Sequence, residues 1–400
     1  MNILTYTSLF PNSVQPVHGV FVYQRMVHFA SRPGNRVVVV APVPWVPAWV
    51  ANPKYARVRE IPSQEKFGGL TVFHPRYLLI PKISMAFHGL LMFLGSCRIV
   101  RKLAHSENFV AIDAHYVYPD GFAAILLGRM LKLPVVVSAR GTDMNLFPMF
   151  RLIRPMIRWT LRRVVGGIGV CTPLRDAMVE MGLSFDQSIV IGNGIDLERF
   201  RPMEQAEARR SLGLPEGATV LVAVGALIPR KGFHFLISAF ARIVQQRPNC
   251  QLYIIGEGDQ RRELEGLARD HGVEDRVHLV GGCPNEKLRN WYSAADLSCL
   301  ASSREGWPNV LLESLACGTP VVATKVWGVQ EVIVSPTLGV LVEQNVGDIA
   351  RGLEEALSRS WDRQALIGHA ASRTWGVVAE EVERYFSSRF GPGKPGVSPG

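Results

Sequence analysis

Short apolar runs rich in β-branched residues recur in the first half of the chain, separated by longer stretches with helical periodicity. The runs that predict buried strands are residues 2–6, 36–41, 109–114, 133–138 and 167–171. Residues 21–30 and 121–131 have the pattern of helices. Strands that are apolar on both faces and alternate with helices indicate βαβ units in a parallel sheet.

The same alternation restarts in the second half and is more regular there. Predicted strands cover residues 219–224, 251–255, 276–280, 297–300 and 320–324, and predicted helices cover residues 233–246, 261–271, 286–294 and 308–317. This order predicts a second doubly wound sheet. Glycine and asparagine turn signals within residues 192–202 place the boundary near residue 195. We therefore predict an α/β protein with two Rossmann-like domains, 1–195 and 196–378.

Composition supports two packed domains rather than a disordered or fibrous chain. Of the 400 residues, 48% are hydrophobic and 20% are charged. No apolar run is long enough to span a bilayer, and the N-terminus lacks the pattern of a secretory signal. Six cysteines without a CxxC pair are typical of a reducing cytoplasm, which is the predicted location. The tail 391–400, rich in glycine and proline, predicts disorder.

Positive charge is concentrated in the first half of the chain. Residues 1–199 contain 22 Lys and Arg against 11 Asp and Glu, whereas residues 200–400 contain 22 against 23. A basic half suits nucleic acid, an anionic membrane or a phosphorylated substrate, and solubility alone is an alternative. Nucleic acid is not the expected partner, because aromatic and basic residues do not interleave as they do in nucleic-acid binders.

Four arginines form what we call the basic stripe. Arg151, Arg154, Arg158 and Arg162 are spaced by three, four and four residues, which places them on one face of a helix. Upstream, residues 83–97 form an apolar run that is too short to span a bilayer. The two features predict contact with an anionic membrane, at the inner face of the plasma membrane. A core helix with a solvated basic face explains them equally well.

A loop with two adjacent cations follows the first predicted strand of the second half. Gly225 permits a tight exit from that strand, and Arg230 and Lys231 precede the next helix. The free N–H groups and the dipole of a helix N-terminus favour anions. The loop is therefore a candidate diphosphate site, with a solvated surface turn as the alternative.

A second loop carries paired carboxylates in a specific context. Glu305 lies before the helix predicted at residues 308–317, and Glu313 lies about two turns further on, inside it. Ionised carboxylates accept hydrogen bonds from hydroxyl groups, as sugar recognition requires. Gly306 allows a ligand to approach the backbone closely.

Polar residues also follow the strands of the first half. His115 ends the sequence Asp113-Ala114-His115 and could exchange a proton with a ligand hydroxyl, although a satisfied core histidine is the alternative. Arg140 and Asp143 follow another strand, and Gly19 lies in the first loop. The first strand is followed by no GxGxxG, which disfavours a dehydrogenase, and the chain has no Asp-x-Asp metal clamp.

These motifs, taken in order, resemble the glycosyltransferases of family 4 (glycosyl transferases group 1). The segment 305–324 is similar to the EGxPxxxLEAxAxGxPVVAT signature of retaining members with the GT-B fold, and the likeness extends over residues 1–390. The opening residues 8–11 and 19–22 are similar to bacterial exopolysaccharide and teichuronic-acid-type members. The resemblance implies two Rossmann-like domains around an interdomain cleft, with the helix near 379–390 packed on the first domain.

The resemblance also implies roles for individual residues. The catalytic residues that it implies are His115, Glu305, Arg230 and Lys231, with His115 facing the donor sugar. The donor-site residues that it implies are Gly19, Arg230, Lys231, Gly256, Glu257, Glu305, Gly306, Trp307 and Glu313. Arg230 and Lys231 would hold the diphosphate, Glu313 the ribose and Glu305 the sugar. Arg140 and Asp143 would lie on the acceptor side, where family members commonly have histidine in place of Arg140.

The function implied is retaining transfer of a hexosyl-type sugar from a nucleoside diphosphate sugar to a polysaccharide or lipid-linked acceptor. Fixed cations would stabilise the leaving group, so no metal or other cofactor is expected. Two alternatives are a sugar-nucleotide epimerase of the same architecture and a non-catalytic scaffold that binds sugar nucleotides. Intact Arg230, Lys231, Glu305 and Glu313 argue against the scaffold.

Overall fold

The computed structural model describes residues 1–47, 57–80 and 84–390. They form two compact units. The first contains residues 1–193 together with the chain from Trp375 onwards, and the second contains Gly194–Thr374. The tail 391–400 and Ile83, where the upstream apolar run begins, lie outside the described residues.

The crossings between the units differ slightly from the predicted boundaries at 195/196 and 378/379. Ile195 pairs with Thr374 in an isolated parallel bridge, and the Ile195 amide donates to the Arg373 carbonyl at 2.9 Å. Trp375, the next residue, is buried in the core of the first unit. The hydrogen bonds of Ile195 therefore fix both points where the chain passes between the units on the side of the second unit. The burial of Trp375 fixes the return point on the side of the first unit.

The first unit contains an eight-stranded sheet in the order β10-β9-β8-β7-β1-β2-β5-β4, in which the pair β4–β5 is antiparallel and the other pairs are parallel. Its strands, with the small pair β3 and β6, are β1 (Asn2–Thr7), β2 (Arg36–Val40), β3 (Val43–Trp45), β4 (Gln64–Phe67), β5 (Leu70–Phe73), β6 (Arg76–Leu78), β7 (Ala111–His115), β8 (Val135–Ala139), β9 (Gly166–Gly169) and β10 (Ser188–Val190).

Seven helices of this unit lie wholly within the described residues: α1 (Val20–Ser31), α2 (His88–Ser106), α3 (Phe122–Leu131), α4 (Thr142–Asn145), α5 (Arg154–Leu161), α6 (Thr172–Glu180) and α15 (Trp375–Phe390). The C-terminal helix α15 packs against α1, with the rings of Phe29 and Phe386 5.7 Å apart. It begins four residues earlier than the predicted position, because Trp375 and Val378 also enter the core.

The second unit is a six-stranded parallel sheet in the order β13-β12-β11-β14-β15-β16. Its strands are β11 (Thr219–Val224), β12 (Cys250–Ile255), β13 (Val277–Gly281), β14 (Leu297–Leu300), β15 (Val321–Thr324) and β16 (Gly339–Val342). Its helices are α7 (Gln205–Leu212), α8 (Phe233–Ile243), α9 (Arg261–Asp270), α10 (Asn285–Ala294), α11 (Asn309–Ala316), α12 (Val329–Val332), α13 (Val346–Ser358) and α14 (Arg363–Ala371).

Both faces of this second sheet are covered, as its largely apolar strands require. Val220 and Val222 of β11 join one apolar cluster, whereas Leu221 and Ala223 join another. Alternate residues of a strand point to opposite faces, so the two clusters are the two sides of the sheet. The parallel strands end at one edge, and the loops that follow β11, β12 and β14 meet there.

The surface of the first unit departs from the predicted basic stripe in one respect. The helix covers only Arg154–Leu161, with Pro155 in its first turn, so Arg151 and Arg162 lie outside it. All four arginines are nevertheless exposed, and so are Met149 and Leu152. Of the described helices, none is both long and apolar enough to cross a bilayer.

Candidate active site

The loop after β11 is pressed against the loop after β14. Pro229–Lys231 form a single 3-10 turn, and Gly232 then takes a φ of 65° before α8 begins. A Cβ on Gly232 would lie 2.0 Å from the Ala301 carbonyl oxygen, so only glycine fits at this contact. The close approach brings Arg230 and Lys231 beside the residues that follow β14.

Both predicted cations converge on Glu305. The Lys231 ammonium lies 2.6 Å from Glu305 Oε1, and Arg230 Nη1 lies 3.6 Å from Oε2. Ser302 Oγ donates to Oε1 at 2.7 Å, and Arg230 Nη1 also donates to the Arg304 carbonyl at 2.8 Å. Glu305 is 8% exposed, so burial strengthens these charge interactions. The structure thus joins three residues that were predicted from two separate motifs.

The backbone beyond Glu305 offers further donors. Among the described residues, the N–H groups of Gly306 and Trp307 have no hydrogen-bond acceptor, and neither has the buried indole Nε1 of Trp307. The Arg373 guanidinium lies 5.9 Å from the centre of the Trp307 ring. Two cations and two free backbone N–H groups near one loop suit a ligand that carries several anionic oxygens.

Glu313 lies inside α11 and is held by a single strong donor. Tyr292 Oη of α10 donates to Glu313 Oε2 at 2.9 Å. Burial raises the pKa of the Glu313 carboxyl to about 7, although the Tyr292 hydrogen bond and the charge of Arg199 both oppose the rise. The group therefore gains or loses its proton close to neutral pH.

The titration of Glu313 predicts pH-dependent binding of a nucleoside diphosphate. On the predicted role of Glu313, ribose hydroxyls donate to the ionised carboxylate, so affinity should fall as the pH drops below 7. A pKa of about 7 gives a dissociation constant roughly tenfold higher at pH 6 than at pH 8. Calorimetric titration with UDP, GDP and ADP measures the change. Glu313→Gln cannot ionise and should remove this slope, while the phosphate's own titration remains in both proteins; equal slopes would contradict the assignment.

Gly256 and Glu257 extend the same edge of the sheet beyond β12. Gly256 has a φ of 154°, and a Cβ there would lie 1.9 Å from the Gly225 carbonyl oxygen. The Leu227 amide donates to the Glu257 carbonyl at 2.8 Å, which ties the loops after β11 and β12 together. The Glu257 side chain is exposed. Its predicted place near the nucleobase stays a prediction.

In the first unit, His115 is the last residue of β7 and is fully buried. Its Nε2 lies 3.0 Å from Asp113 Oδ2, and Arg140 Nη2 lies 2.7 Å from its Nδ1. Burial lowers the pKa of His115 to about 4, so the ring is neutral: Nε2–H donates to Asp113, and Nδ1 accepts from Arg140. Both nitrogens are therefore engaged within this unit, which is the environment of the satisfied core histidine. A contact with a sugar stays a prediction and requires one of these bonds to open.

Arg140 is half-buried and connects several parts of the first unit. Its Nη1 donates to Asn193 Oδ1 at 3.1 Å, and its guanidinium lies 5.3 Å from the centre of the Phe21 ring. Burial lowers the pKa of Arg140 to about 9, with the charge of Arg25 acting in the same direction. The side chain thus orients His115, and its predicted acceptor contact remains untested.

Asp143 has a structural environment that its sequence position did not reveal. Its two carboxylate oxygens accept from the backbone N–H groups of Val117, Arg140 and Gly141 at 2.8–3.0 Å. The residue is fully buried, and burial raises the pKa of its carboxyl. Asp143 therefore fixes the loops after β7 and β8, and the predicted acceptor-side contact would need these bonds to rearrange.

Gly19 is required for the backbone conformation of the loop between β1 and α1. It has a φ of 66°, and a Cβ would lie 2.3 Å from the Leu9 carbonyl carbon. The loop between β1 and α1 folds back on itself there, which only glycine permits. The predicted closure of this loop over phosphates stays a prediction.

Sequence reasoning assigned no orienting role to the residues that hold the predicted ones in place. Ser302 supports Glu305, Tyr292 supports Glu313, and Asp113 supports His115. Ser302 and Asp113 lie within three residues of their partners, so spacing could have found them. Tyr292 is separated from Glu313 by 21 residues, and nothing in the sequence connects them.

Comparison with known proteins matches both halves of the chain. Residues 19–199 match "Glycosyltransferase Family 4", and residues 204–373 match "Glycosyl transferases group 1". The chain is 29% identical over 342 residues to TuaC of Bacillus subtilis strain 168, a glycosyltransferase named for teichuronic acid biosynthesis, and the match covers 82% of both chains. It is 35% identical over 205 residues to the D-inositol 3-phosphate glycosyltransferase of Kribbella flavida, with 48% of each chain covered. The chain therefore spans about half the length of this second relative.

Solved structures share the fold over almost the entire chain. The sucrose-phosphate synthase of Thermosynechococcus elongatus has a TM-score of 0.76 at 21% identity, with 97% of this chain and 98% of that chain covered. Anabaena Alr3699/HepE, solved with UDP and glucose, has a TM-score of 0.71 at 19% identity, with 97% and 100% covered. Their two Rossmann-like domains correspond to the GT-B fold predicted here. The family matches in both halves, the TuaC relative and this fold together show that the chain is a glycosyltransferase and belongs to family 4, the glycosyl transferases of group 1.

Proposed function

We propose that the protein transfers a sugar from a nucleoside diphosphate sugar to an acceptor hydroxyl with retention of the anomeric configuration. The observation that carries the proposal is the convergence of Arg230 and Lys231 on Glu305 at the edge of the second sheet. Cations suit the diphosphate, and the carboxylate suits the sugar hydroxyls. Alr3699/HepE, which was solved with UDP-glucose, supports a donor of this class.

The chemical problem is the charge that develops as the donor breaks. The bond from the anomeric carbon to the diphosphate oxygen breaks, and a bond from the acceptor oxygen forms on the same face of the sugar. The acceptor hydroxyl proton passes to an oxygen of the departing diphosphate. Arg230, Lys231 and the N–H groups of Gly306 and Trp307 stabilise the negative charge, so the proposed reaction needs no metal.

The test of this function combines binding with product analysis. A thermal-shift panel of UDP-, GDP- and ADP-sugars identifies the donor, because a ligand that binds only the folded state raises the Tm. Proton NMR of the product then reports the anomeric configuration, with and without EDTA. Retention and full activity in EDTA are expected, whereas inversion or a need for a divalent ion would contradict the proposal.

The two other candidates give different outcomes in the same assays. A sugar-nucleotide epimerase would convert the donor into an epimer with no acceptor present. A non-catalytic scaffold would bind the donor without releasing a nucleoside diphosphate.

The acceptor is proposed to be a glycan or a lipid-linked glycan at the inner face of the plasma membrane. The TuaC relative, named for teichuronic acid biosynthesis, supports a polysaccharide product. The exposed basic stripe lies next to Met149 and Leu152, which are 75% and 71% exposed. Phe87 and Leu94, at and near the start of α2, are 58% and 57% exposed. Cations beside exposed apolar side chains are typical of surfaces that bind anionic lipids.

Reversing the charge of the basic stripe is expected to abolish sedimentation with vesicles of phosphatidylglycerol and phosphatidylcholine at 0.1 M salt. Each cation near such a surface contributes on the order of 1 kcal/mol, so four reversals remove most of the attraction. The matched control reverses four exposed arginines of the second unit: Arg210, Arg262, Arg269 and Arg351. Equal loss in both variants, or none in either, would contradict membrane contact through the stripe.

A further inference from the structure

His74 lies between β5 and β6, and both nitrogens of its ring face oxygen atoms. The side chain is fully buried. Nδ1 lies 3.0 Å from the carbonyl oxygen of Ala41, which follows β2, and Nε2 lies 2.8 Å from Oε1 of Glu65 on β4. The ring therefore connects the turn after β2 to the hairpin formed by β4 and β5.

The partners of His74 determine where its hydrogens lie. The Ala41 carbonyl oxygen can only accept, so Nδ1 carries a hydrogen. A neutral ring would then have only a lone pair at Nε2, and an ionised carboxylate is also acceptor-only. A second hydrogen must therefore lie between Nε2 and Glu65 Oε1. An imidazole binds a proton more tightly than a carboxylate does, so this hydrogen belongs to Nε2.

His74 supplies the positive charge that the Glu65 carboxylate meets. Among the described residues, Glu65 forms an ion pair with His74 and with no lysine or arginine. The nearby Arg76 guanidinium donates instead to backbone carbonyls of residues 58–61. Lys66 is exposed, and as the next residue of β4 it points to the opposite face of the strand. The proton on Nε2 is thus what neutralises this carboxylate.

Two other titratable side chains, His18 and Tyr77, line the same cavity as His74. His18 is exposed, and its Nε2 lies 3.0 Å from the Ser8 carbonyl oxygen. The Tyr77 ring lies 6.2 Å from the ring of His88. Titration of these groups is common to the wild type and to a variant changed only at Glu65, so a comparison of the two proteins cancels it.

The Glu65 carboxylate also holds the loop between β1 and α1. Ser13, in the middle of that loop, donates its backbone N–H to Glu65 Oε2 at 3.1 Å. The loop follows β1 at the carboxyl edge of the sheet, where open α/β folds bind their ligands. The position of one carboxylate therefore affects the position of a loop at the edge where ligands bind.

We propose that His74 and Glu65 form a proton-dependent clasp that positions the loop between β1 and α1. With the proton on Nε2, His74 holds Glu65, and Glu65 holds Ser13. Loss of the proton leaves Oε1 opposite a lone pair, so the carboxylate turns towards water and releases Ser13. The loop is therefore held on the acidic side of this transition and freed on the alkaline side. The effect of the clasp on sugar transfer rests on the proposed function.

Glu65→Gln is expected to reverse this pH dependence. The glutamine oxygen can accept from Ser13, and its NH2 group can donate to Nε2 of a neutral His74, so the clasp closes without the extra proton. Protonation of His74 would instead place two N–H donors opposite each other and open it. Glu60→Gln is the matched control, because Glu60 is exposed and its loss removes the same charge outside the pair.

Hydrogen exchange of peptides that cover Ser13, followed by mass spectrometry on the full chain, measures the clasp. The intrinsic exchange rate depends on pH equally in both proteins, so the ratio of wild type to Glu65→Gln isolates the loop. The wild type should exchange more slowly than the variant at about pH 6 and faster at about pH 9, with a change in the ratio of about tenfold, the scale of one hydrogen bond to a charged group. Glu60→Gln should follow the wild type.

A ratio that does not change with pH would overturn the inference, and so would the same reversal in Glu60→Gln. Heteronuclear NMR of the histidine rings gives a second test that needs no variant. Both ring nitrogens of His74 should carry hydrogen under the conditions in which Ser13 is protected from exchange. A single hydrogen on the ring under those conditions would refute the clasp.

Kinetics separate the clasp from the proposed function. The kcat/KM of the wild type relative to Glu65→Gln should fall on the alkaline side, and this comparison also cancels the titration of Glu313. A kcat/KM ratio that ignores pH would refute the positioning role. If exchange reverses with pH and no sugar is transferred, the proposed function fails and the clasp stands. If sugar is transferred and exchange does not reverse, only the clasp fails.

Discussion

Replacing Arg230 and Lys231 together by alanine is expected to lower kcat/KM for sugar transfer by roughly a hundredfold to a thousandfold, as loss of donors to a developing anion does. The two side chains lie beside Glu305 at one edge of the sheet, where the diphosphate is proposed to depart. Each single variant should keep part of the activity, because one cation remains. Release of the nucleoside diphosphate during turnover is the measurement.

The control for this pair is Arg269→Ala. Arg269 is exposed in the last turn of α9, and a helix that follows a parallel strand ends at the opposite edge of the sheet. Its loss should leave kcat and KM unchanged. Full activity in the double variant would refute the diphosphate assignment.

Glu305→Gln is expected to reduce kcat/KM by roughly a hundredfold, the scale of one or two hydrogen bonds to a charged group. The amide keeps the shape of the side chain but loses the charge and one acceptor. Binding of the nucleoside diphosphate alone should be retained or tightened, because the Lys231 ammonium, now 2.6 Å from the carboxylate, is freed for the phosphates. Steady-state kinetics and calorimetry together separate the two effects.

A purely structural role for Glu305 would weaken nucleotide binding and turnover together, so that outcome contradicts the prediction. Glu265→Gln provides the comparison, since Glu265 forms an exposed pair with Arg261 at 2.9 Å and such pairs contribute little. It should change neither measurement.

Sequence predicted the second unit more fully than the first because its strands are mostly apolar runs with few polar residues. The predicted ranges of β11 and β14 coincide with the observed ones, since valine and leucine runs bounded by turns leave little choice. The strands Gln64–Phe67 and Leu70–Phe73 were not predicted: they alternate polar and apolar residues around Gly68 and Gly69, and they form a hairpin at the sheet edge. An alternating pattern of polar and apolar residues predicts a strand only if one face of the sheet is expected to be exposed to solvent.

Site residues could be predicted one by one, but their partners depend on strand order. Lys231 and Glu305 are 74 residues apart in the sequence. They meet because β11 pairs with β14 as well as with β12, the next strand along the chain. His115 meets Arg140 because β7 and β8 run side by side, with His115 opposite Ser138. The spacing of motifs along the sequence does not predict which strands pair. It does not predict burial either, and burial sets the pKa values of Glu313 and His115.

The bridge between Ile195 and Thr374 has a practical consequence. The first and last residues of the second unit lie next to each other, so residues 194–374 form one continuous segment whose two ends are neighbours. Exchanging that segment between relatives changes two peptide junctions and leaves the host's terminal helix in place. If the second unit holds the donor, as proposed, a chimera made this way would take its donor preference from the insert, and the preference of the host for its acceptor would be left unchanged.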